Sequence, residues 1–239
     1  MNITPKMLIG FIKEFMAMKV EIVEFKTSKD YEFNLKKLIE KINSSSSDFL
    51  LFPEVALSGF DYDNWNEVNK FGEYAIDKLS KLNKSFALTI IADNKNYFCF
   101  FDKGLVYKRA KFNLFGGEKN YFKTGNEPDI FEWNGLKIGN LICFELRFIK
   151  YWEKFKGVDL ILVPSRWGKE RIKHFKILSK ALALSTQSNV LVCNSANEEA
   201  FLAAIDAWAD GVEGNKSLIC EIDFEKNKKI RKKLNIGIV

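Results

Sequence analysis

Histidine is nearly missing: the 239 residues hold one, His174. That leaves no set of imidazoles for a metal centre and one candidate for any histidine base. Four prolines and 14 glycines exclude collagen-like and linker-like chains. The four cysteines, Cys99, Cys143, Cys193 and Cys220, are far apart and form no C-x-x-C pair. A zinc motif or dithiol redox motif therefore has no support, and a disulfide framework is not expected in a chain of this length. Long apolar runs are also lacking. The run from Met7 to Ile12 stops at Lys13 and Glu14, too short for an export-signal core or a membrane span. A reducing, cytoplasmic setting without membrane contact is the expectation. A strong charge excess is absent too: 37 Lys and Arg against 31 Asp and Glu give +6. The basic cluster Lys226, Lys228, Lys229, Arg231, Lys232 and Lys233 has no interleaved aromatic residue. It reads as a solvated helix face rather than a nucleic-acid surface.

What is present is a core. Hydrophobic residues make up 47% of the chain, enough for one sizeable domain. Residues 1–17 read as an extension and 18–239 as the domain. The period-2 segment from Met18 to Phe25 predicts a first strand. Tyr31, Leu35, Leu38, Ile39 and Ile42 stand at helical spacing. Phe49–Phe52, closed by Pro53, is apolar throughout, as in a strand buried on both faces. A helix is expected over 66–83, strands over 86–92, 96–101 and 104–108, and a Gly-containing loop over 111–126. Further strands are expected over 128–134, 137–143 and 158–163, the last ended by Pro164. Helices follow over 147–156 and 169–187, then strands over 190–193, 201–207 and 217–223. Strands and helices interspersed along the whole length indicate an α/β protein with layered, buried sheets.

Three reactive side chains stand just beyond apolar strands: Glu54 after Phe52-Pro53, Lys111 after 104–108, and Cys143 after Leu141-Ile142. Strand ends are where open α/β sheets gather their sites. Each alone has a plain structural reading: a buried thiol, a loop carboxylate, a solvated ammonium. Together they supply an acyl-transfer set. A free thiol has a pKa of about 8.5 and needs help to become a nucleophile near neutrality. A desolvated carboxylate can take its proton, and an ammonium can face the oxyanion formed on an attacked carbonyl. His174 lies on the predicted helix 169–187 and reads as a helix residue rather than a cysteine-protease base. Cys99, Cys193 and Cys220 read as core thiols.

Four blocks, in order, resemble the nitrilase superfamily of carbon–nitrogen hydrolases. Phe49-Leu-Leu-Phe-Pro-Glu-Val-Ala-Leu-Ser-Gly-Phe60 is similar to the glutamate block. Lys111-Phe-Asn-Leu-Phe-Gly-Gly-Glu118 is similar to the lysine block. Ile138-Gly-Asn-Leu-Ile-Cys-Phe-Glu-Leu-Arg-Phe148 is similar to the nucleophile block, and Val158-Asp-Leu-Ile-Leu-Val-Pro-Ser-Arg-Trp167 to the strand after it. The resemblance implies a four-layer αββα sandwich, often paired as a homodimer or built into a higher homo-oligomer, with no cofactor and no metal. It implies Cys143 as nucleophile, Glu54 as general base and Lys111 as oxyanion stabiliser beside the Phe144 backbone N–H. Glu118 becomes a second acid that orients Lys111 or the substrate amine.

Cys143-Phe-Glu-Leu-Arg-Phe148 is similar to the amidase branches, including omega-amidases, whereas nitrilases proper carry Trp-Glu after the cysteine. The resemblance therefore implies hydrolysis of a small linear amide through a thioester, with release of ammonia, an omega-amidase-like substrate with a carboxylate elsewhere in the molecule being one form of it. An N-carbamoyl amino acid amidohydrolase and a non-catalytic binding or assembly relative are the alternatives. Arg147 has two readings, a bidentate partner for a substrate carboxylate or a structural partner of Glu145. Trp167 either lines the pocket or packs. Asn113 stands where the family has a loop histidine, and Ala181–Thr186 lacks the family's helix Arg and Glu.

Overall fold

Period-2 burial sorts the strands into two stacked sheets. The computed structural model describes residues 17–235 apart from 198, together with 237 and 238. In chain order the elements are β1 (Ala17–Ile22), α1 (Tyr31–Ser44), β2 (Phe49–Leu51), α2 (Trp65–Leu79), β3 (Ser85–Ala92), β4 (Lys95–Asp102) and β5 (Leu105–Ala110). They continue with β6 (Ile130–Trp133), β7 (Leu136–Asn140), α3 (Ile149–Lys154), β8 (Leu160–Ser165), α4 (Ile172–Thr186) and β9 (Asn189–Ala196). The chain closes with β10 (Glu199–Ile205), β11 (Gly211–Gly214), β12 (Leu218–Asp223) and α5 (Phe224–Leu234). The first sheet runs β12-β1-β2-β3-β4-β5 and the second β11-β10-β9-β8-β7-β6. Each has a parallel centre, β1-β2-β3 in one and β7-β8-β9 in the other.

Alternate residues of one strand serve two cores. Leu160 and Leu162 of β8 face inward, packing with Leu191, Val20, Ile22, Phe49 and Leu51 between the sheets. Ile161 and Val163 face outward, against Tyr151 and Trp152 of α3 and Phe175 and Leu182 of α4. On the other side Leu50, Phe86 and Leu88 pack against Leu35, Leu38 and Ile42 of α1 and Ala75 and Leu79 of α2. Burial on both faces explains why these strands read as unbroken apolar runs. The result is the expected four-layer αββα sandwich.

Local chemistry sets the element ends. Asp30 caps α1 by accepting from the Phe33 amide at 2.9 Å. Asp93 and Asn94 both have positive φ, 48° and 55°, in the two-residue turn between β3 and β4. That is the primed hairpin geometry these residue types tolerate best. Gly72 lets α2 approach β3, since a Cβ there would stand 1.8 Å from the Ile91 carbonyl oxygen.

Several elements differ from expectation. Pro164 lies inside β8 rather than ending it. Pairing of β7 with β8 stops at Leu162, so at Pro164 only β9 remains as a neighbour and the missing N–H interrupts no ladder on the other side. The strand expected over 137–143 ends at Asn140, and Cys143 instead opens a 3-10 turn, Cys143–Arg147. Strand β11 is a short, polar edge strand that carries no apolar alternation to reveal it. Of the extension expected over 1–17, Ala17 already belongs to β1, and the rest lies outside the described residues. No helix among the described residues is long and apolar enough to cross a membrane.

Candidate active site

The site lies where the two sheets end together. Glu54 follows β2 and Lys111 follows β5, both on the first sheet; Cys143 follows β7 and Arg166 follows β8, both on the second. Two non-glycine residues here hold left-handed backbone: Val55 at φ 43° and Cys143 at φ 50°. For a β-branched residue such as valine this is a strained conformation. The Val55 amide is anchored by the Thr89 hydroxyl at 2.7 Å.

Lys111 is fully buried and bridges two carboxylates. Its Nζ donates to Glu54 Oε1 and to Glu118 Oε1, each at 2.8 Å. Glu54 Oε1 also accepts from Asn96 Nδ2 at 2.9 Å, while Glu54 Oε2 is buried with no partner. Glu118 Oε2 accepts from the Phe115 amide at 2.8 Å, which ties that carboxylate to the 3-10 turn Gly116–Asn120. One carboxylate oxygen of Glu54 is thus doubly held and the other is left open. Burial alone lowers the Lys111 pKa, but Glu54, then Cys143 and Glu118, outweigh it and hold the ammonium above its ordinary range. Burial raises the Glu118 carboxyl; Lys111 opposes the rise and Glu54 adds to it.

Cys143 stands in the field of the same groups. Its thiol is pushed well above the ordinary range, first by burial and then by Glu54, against the pull of Lys111 and of the nearby Arg166 backbone N–H. A thiol held protonated in this way needs a base during attack, which the open Glu54 oxygen can supply. Phe144 is the second residue of the Cys143–Arg147 turn, and first-turn N–H groups have no partner within their own helix. Cys99 and Cys193 are buried in strands, their thiols raised by burial. Burial pushes the half-buried Cys220 up to about 11.

A cavity of about 280 Å³ opens onto Cys143 and Glu118, walled by Phe60, Tyr62, Phe115, Phe144 and Trp167, with Arg166 and Arg171 at its edge. Burial, aided by Glu118, pushes the Tyr62 hydroxyl up to about 12, so it remains a neutral donor. Trp167 both lines the cavity and packs, its ring 5.3 Å from Phe175. Arg147 is placed elsewhere. Its guanidinium stacks over Trp167 at 4.6 Å, and Nη2 stands 3.1 Å from His174 Nδ1, outside the cavity lining. Nor does Arg147 pair with Glu145, because Arg109 claims that carboxylate in a bidentate contact of 3.0 and 2.7 Å. Asn113 accepts from the Tyr151 hydroxyl at 2.6 Å, which fixes the lysine loop against α3.

Arg109, Asn96 and Arg166 carry no signal in the one-dimensional pattern. Arg109 and Asn96 sit within strands, and Arg166 reads as the neighbour of Trp167.

The profile of the Carbon-nitrogen hydrolase family matches residues 30–208. The chain belongs to this family. It is a carbon–nitrogen hydrolase with a Glu-Lys-Cys group. It is similar to the 2-oxoglutaramate amidase of Bacillus subtilis (strain 168), 28% identical over 232 residues that cover 85% of this chain and 89% of the relative. In fold it is similar to a CN-hydrolase superfamily protein from Xanthomonas campestris, with a TM-score of 0.80 and 18% identity over 92% of this chain and 95% of that one. An amidase from Nesterenkonia sp. gives a TM-score of 0.76 and 15% identity over 93% of this chain and 96% of that one. Within the carbon–nitrogen hydrolase frame, the departures at Asn113 and along α4 leave the Glu54, Lys111 and Cys143 cluster intact.

Proposed function

We propose that the protein hydrolyses small linear amides, of the kind named for its 2-oxoglutaramate amidase relative, through a Cys143 thioester. The observation that carries this reading is the open Oε2 of Glu54 acting on a protonated, half-buried thiol, with Oε1 tied to Lys111 and Asn96.

Cys143 Sγ attacks the amide carbonyl carbon as its proton passes to Glu54 Oε2. The new oxyanion faces the Lys111 ammonium and the Phe144 N–H. Collapse breaks the C–N bond, and Glu54 returns the proton to the leaving nitrogen, releasing ammonia and leaving a thioester. Water then gives a proton to Glu54 and attacks the thioester carbon. The acid leaves, and the proton returns to the sulfur. Lys111 stays charged throughout and Glu118 holds it in place, so neither residue is consumed. The cavity of about 280 Å³ suits a short acyl chain.

Ammonia release from linear amides, N-carbamoyl amino acids and nitriles tests the reading. The expected result is turnover of the amides, loss of turnover in Cys143→Ala, and an acyl adduct on Cys143 by mass spectrometry. Turnover confined to the carbamoyl compounds selects the carbamoylase alternative. Ammonia released by Cys143→Ala at the wild-type rate rules out the thioester route.

The same reading includes a homodimer and a reducing compartment. Ile149 of α3 and Ile177 and Leu184 of α4 are exposed apolar residues on the outer layer of the second sheet, which supports pairing through that layer. Ile177→Lys with Leu184→Lys is expected to give a monomer by analytical ultracentrifugation. Four free cysteines fit a compartment that keeps the nucleophile reduced.

A further inference from the structure

Arg166 connects the reacting centre to the mouth of the site. It follows β8 and lines the same cavity as Cys143. The residue lines both that cavity and an outer depression of about 710 Å³, whose lining includes Thr27 and Asn197. There Nη2 donates to Thr27 Oγ1 at 3.0 Å and to Asn197 Oδ1 at 3.2 Å, and Nη1 reaches Thr27 Oγ1 at 3.4 Å. Both partners are neutral. Among the described residues no carboxylate pairs with it, whereas Arg109, the buried arginine of the site, has Glu145.

A half-buried guanidinium held only by neutral partners still has its charge to pair, and a ligand carboxylate at this wall would meet it. Burial lowers the Arg166 pKa, with Glu54 and Cys143 opposing from a distance; none of these supplies a contact. A second donor lacks a partner at the same wall: Trp167 Nε1 is buried and unbonded although its residue lines the cavity. The competing cations have other geometry. Arg147 is stacked on Trp167 and engaged with His174, and Arg171 lies over the Phe115 ring at 4.4 Å.

We propose that Arg166 selects acid-bearing amides, pairing with a carboxylate at the far end of the substrate while the amide carbon rests at Cys143. This deepens the amide reading above and rests on it. Arg166 lines the cavity that holds Cys143, and its guanidinium lies with Thr27 and Asn197 of the outer depression, so the carboxylate is set apart from the amide carbon. A short ω-amide acid spans that gap. An α-amino-acid amide does not, because its only carboxyl group is the amide itself. The planar guanidinium suits a bidentate carboxylate, with Thr27 and Asn197 holding its orientation.

The test compares kcat/KM for glutaramate and for pentanamide, which lacks the distal carboxylate, by ammonia release. The wild type is expected to prefer glutaramate. Arg166→Gln is expected to lower the glutaramate-to-pentanamide ratio by about 10- to 100-fold, chiefly through KM. Arg166→Lys keeps the charge without the fork and is expected to fall between the two, giving the same comparison if the glutamine variant does not fold. An equal fall on both amides, or transfer of the loss to Arg171→Gln, overturns the assignment while leaving the amide reading intact. Absence of ammonia from both amides with the wild type overturns both.

Discussion

Arg109 and Glu145 form a buried bidentate ion pair that joins the two catalytic loops. Glu145 Oε1 also accepts from the Phe112 amide at 2.7 Å, next to Lys111, and Oε2 from the Ile142 amide at 2.8 Å, next to Cys143. Arg109 in turn holds Asn140 Oδ1 through Nε and Nη2, at the end of β7. One carboxylate therefore sets the spacing between ammonium and nucleophile. Glu145→Ala leaves a buried guanidinium unpaired and is expected to cost about 3–5 kcal/mol of folding stability in urea melts. Arg109→Met with Glu145→Leu is expected to recover much of that loss. Turnover is expected to stay low in the double variant, because the Phe112 and Ile142 amides still lack their acceptor.

Lys111→Met removes the one cation between Glu54 and Glu118. Ammonia release is expected to fall roughly 100- to 1,000-fold from loss of the oxyanion partner. Stability is expected to fall too, and with a defined pH trend. Burial raises the Glu118 carboxyl and Lys111 opposes that rise; without the cation the folded state favours protonated Glu118 more strongly. The stability deficit against wild type therefore grows as pH rises through the folded pKa and shrinks as pH falls. Thermal melts of both proteins between pH 5 and 8 provide the check; a deficit that is constant across that range contradicts the argument.

Much of this site is legible in the linear pattern, for a physical reason. Glu54 and Cys143 each end an apolar run, and buried parallel strands put such ends on one side of the sheet; Lys111 follows the antiparallel edge strand β5, which two reversals from β3 through β4 return to the same side. The layer order follows from runs apolar on both faces, such as Leu160–Val163. The supporting contacts are not legible. Asn96 meets Glu54 only through pairing of β2 with β3 and β3 with β4, and Arg109 meets Glu145 only across the two sheets. Such meetings depend on register between distant segments. Arg147 shows the converse: its spacing from Cys143 resembles that of a substrate ligand, yet the indole of Trp167 and His174 take up its guanidinium.

Asn96 decides which oxygen of Glu54 remains open. Its Nδ2 shares Oε1 with Lys111, and its carbonyl accepts the Lys111 amide at 2.8 Å. Asn96→Leu keeps the backbone contact but frees the carboxylate to rotate. The expected result is a fall in kcat of about tenfold, the scale of one hydrogen bond to a charged group, with little change in KM. Asn96→Asp places a third carboxylate beside Glu54 and Glu118 and is expected to be worse than leucine. The reverse ranking in steady-state assays contradicts a positioning role.

Glu54 raises the pKa of the thiol it serves, so its removal separates reactivity from turnover. In the wild type, burial and the Glu54 charge keep Cys143 protonated beyond the ordinary thiol range. Iodoacetamide labelling of Cys143, followed by mass spectrometry, is therefore expected to keep accelerating past pH 9 without a plateau. Glu54→Gln deletes the like charge and leaves Lys111 facing the sulfur, which lowers the thiol pKa and raises the thiolate fraction at any given pH. Labelling of that variant at pH 8 is expected to be faster than in the wild type. Its ammonia release is expected to fall roughly 100- to 10,000-fold, because nothing takes the proton from sulfur or returns it to the leaving nitrogen. Slower labelling in Glu54→Gln contradicts the charge argument, and undiminished turnover contradicts the role of Glu54 as base.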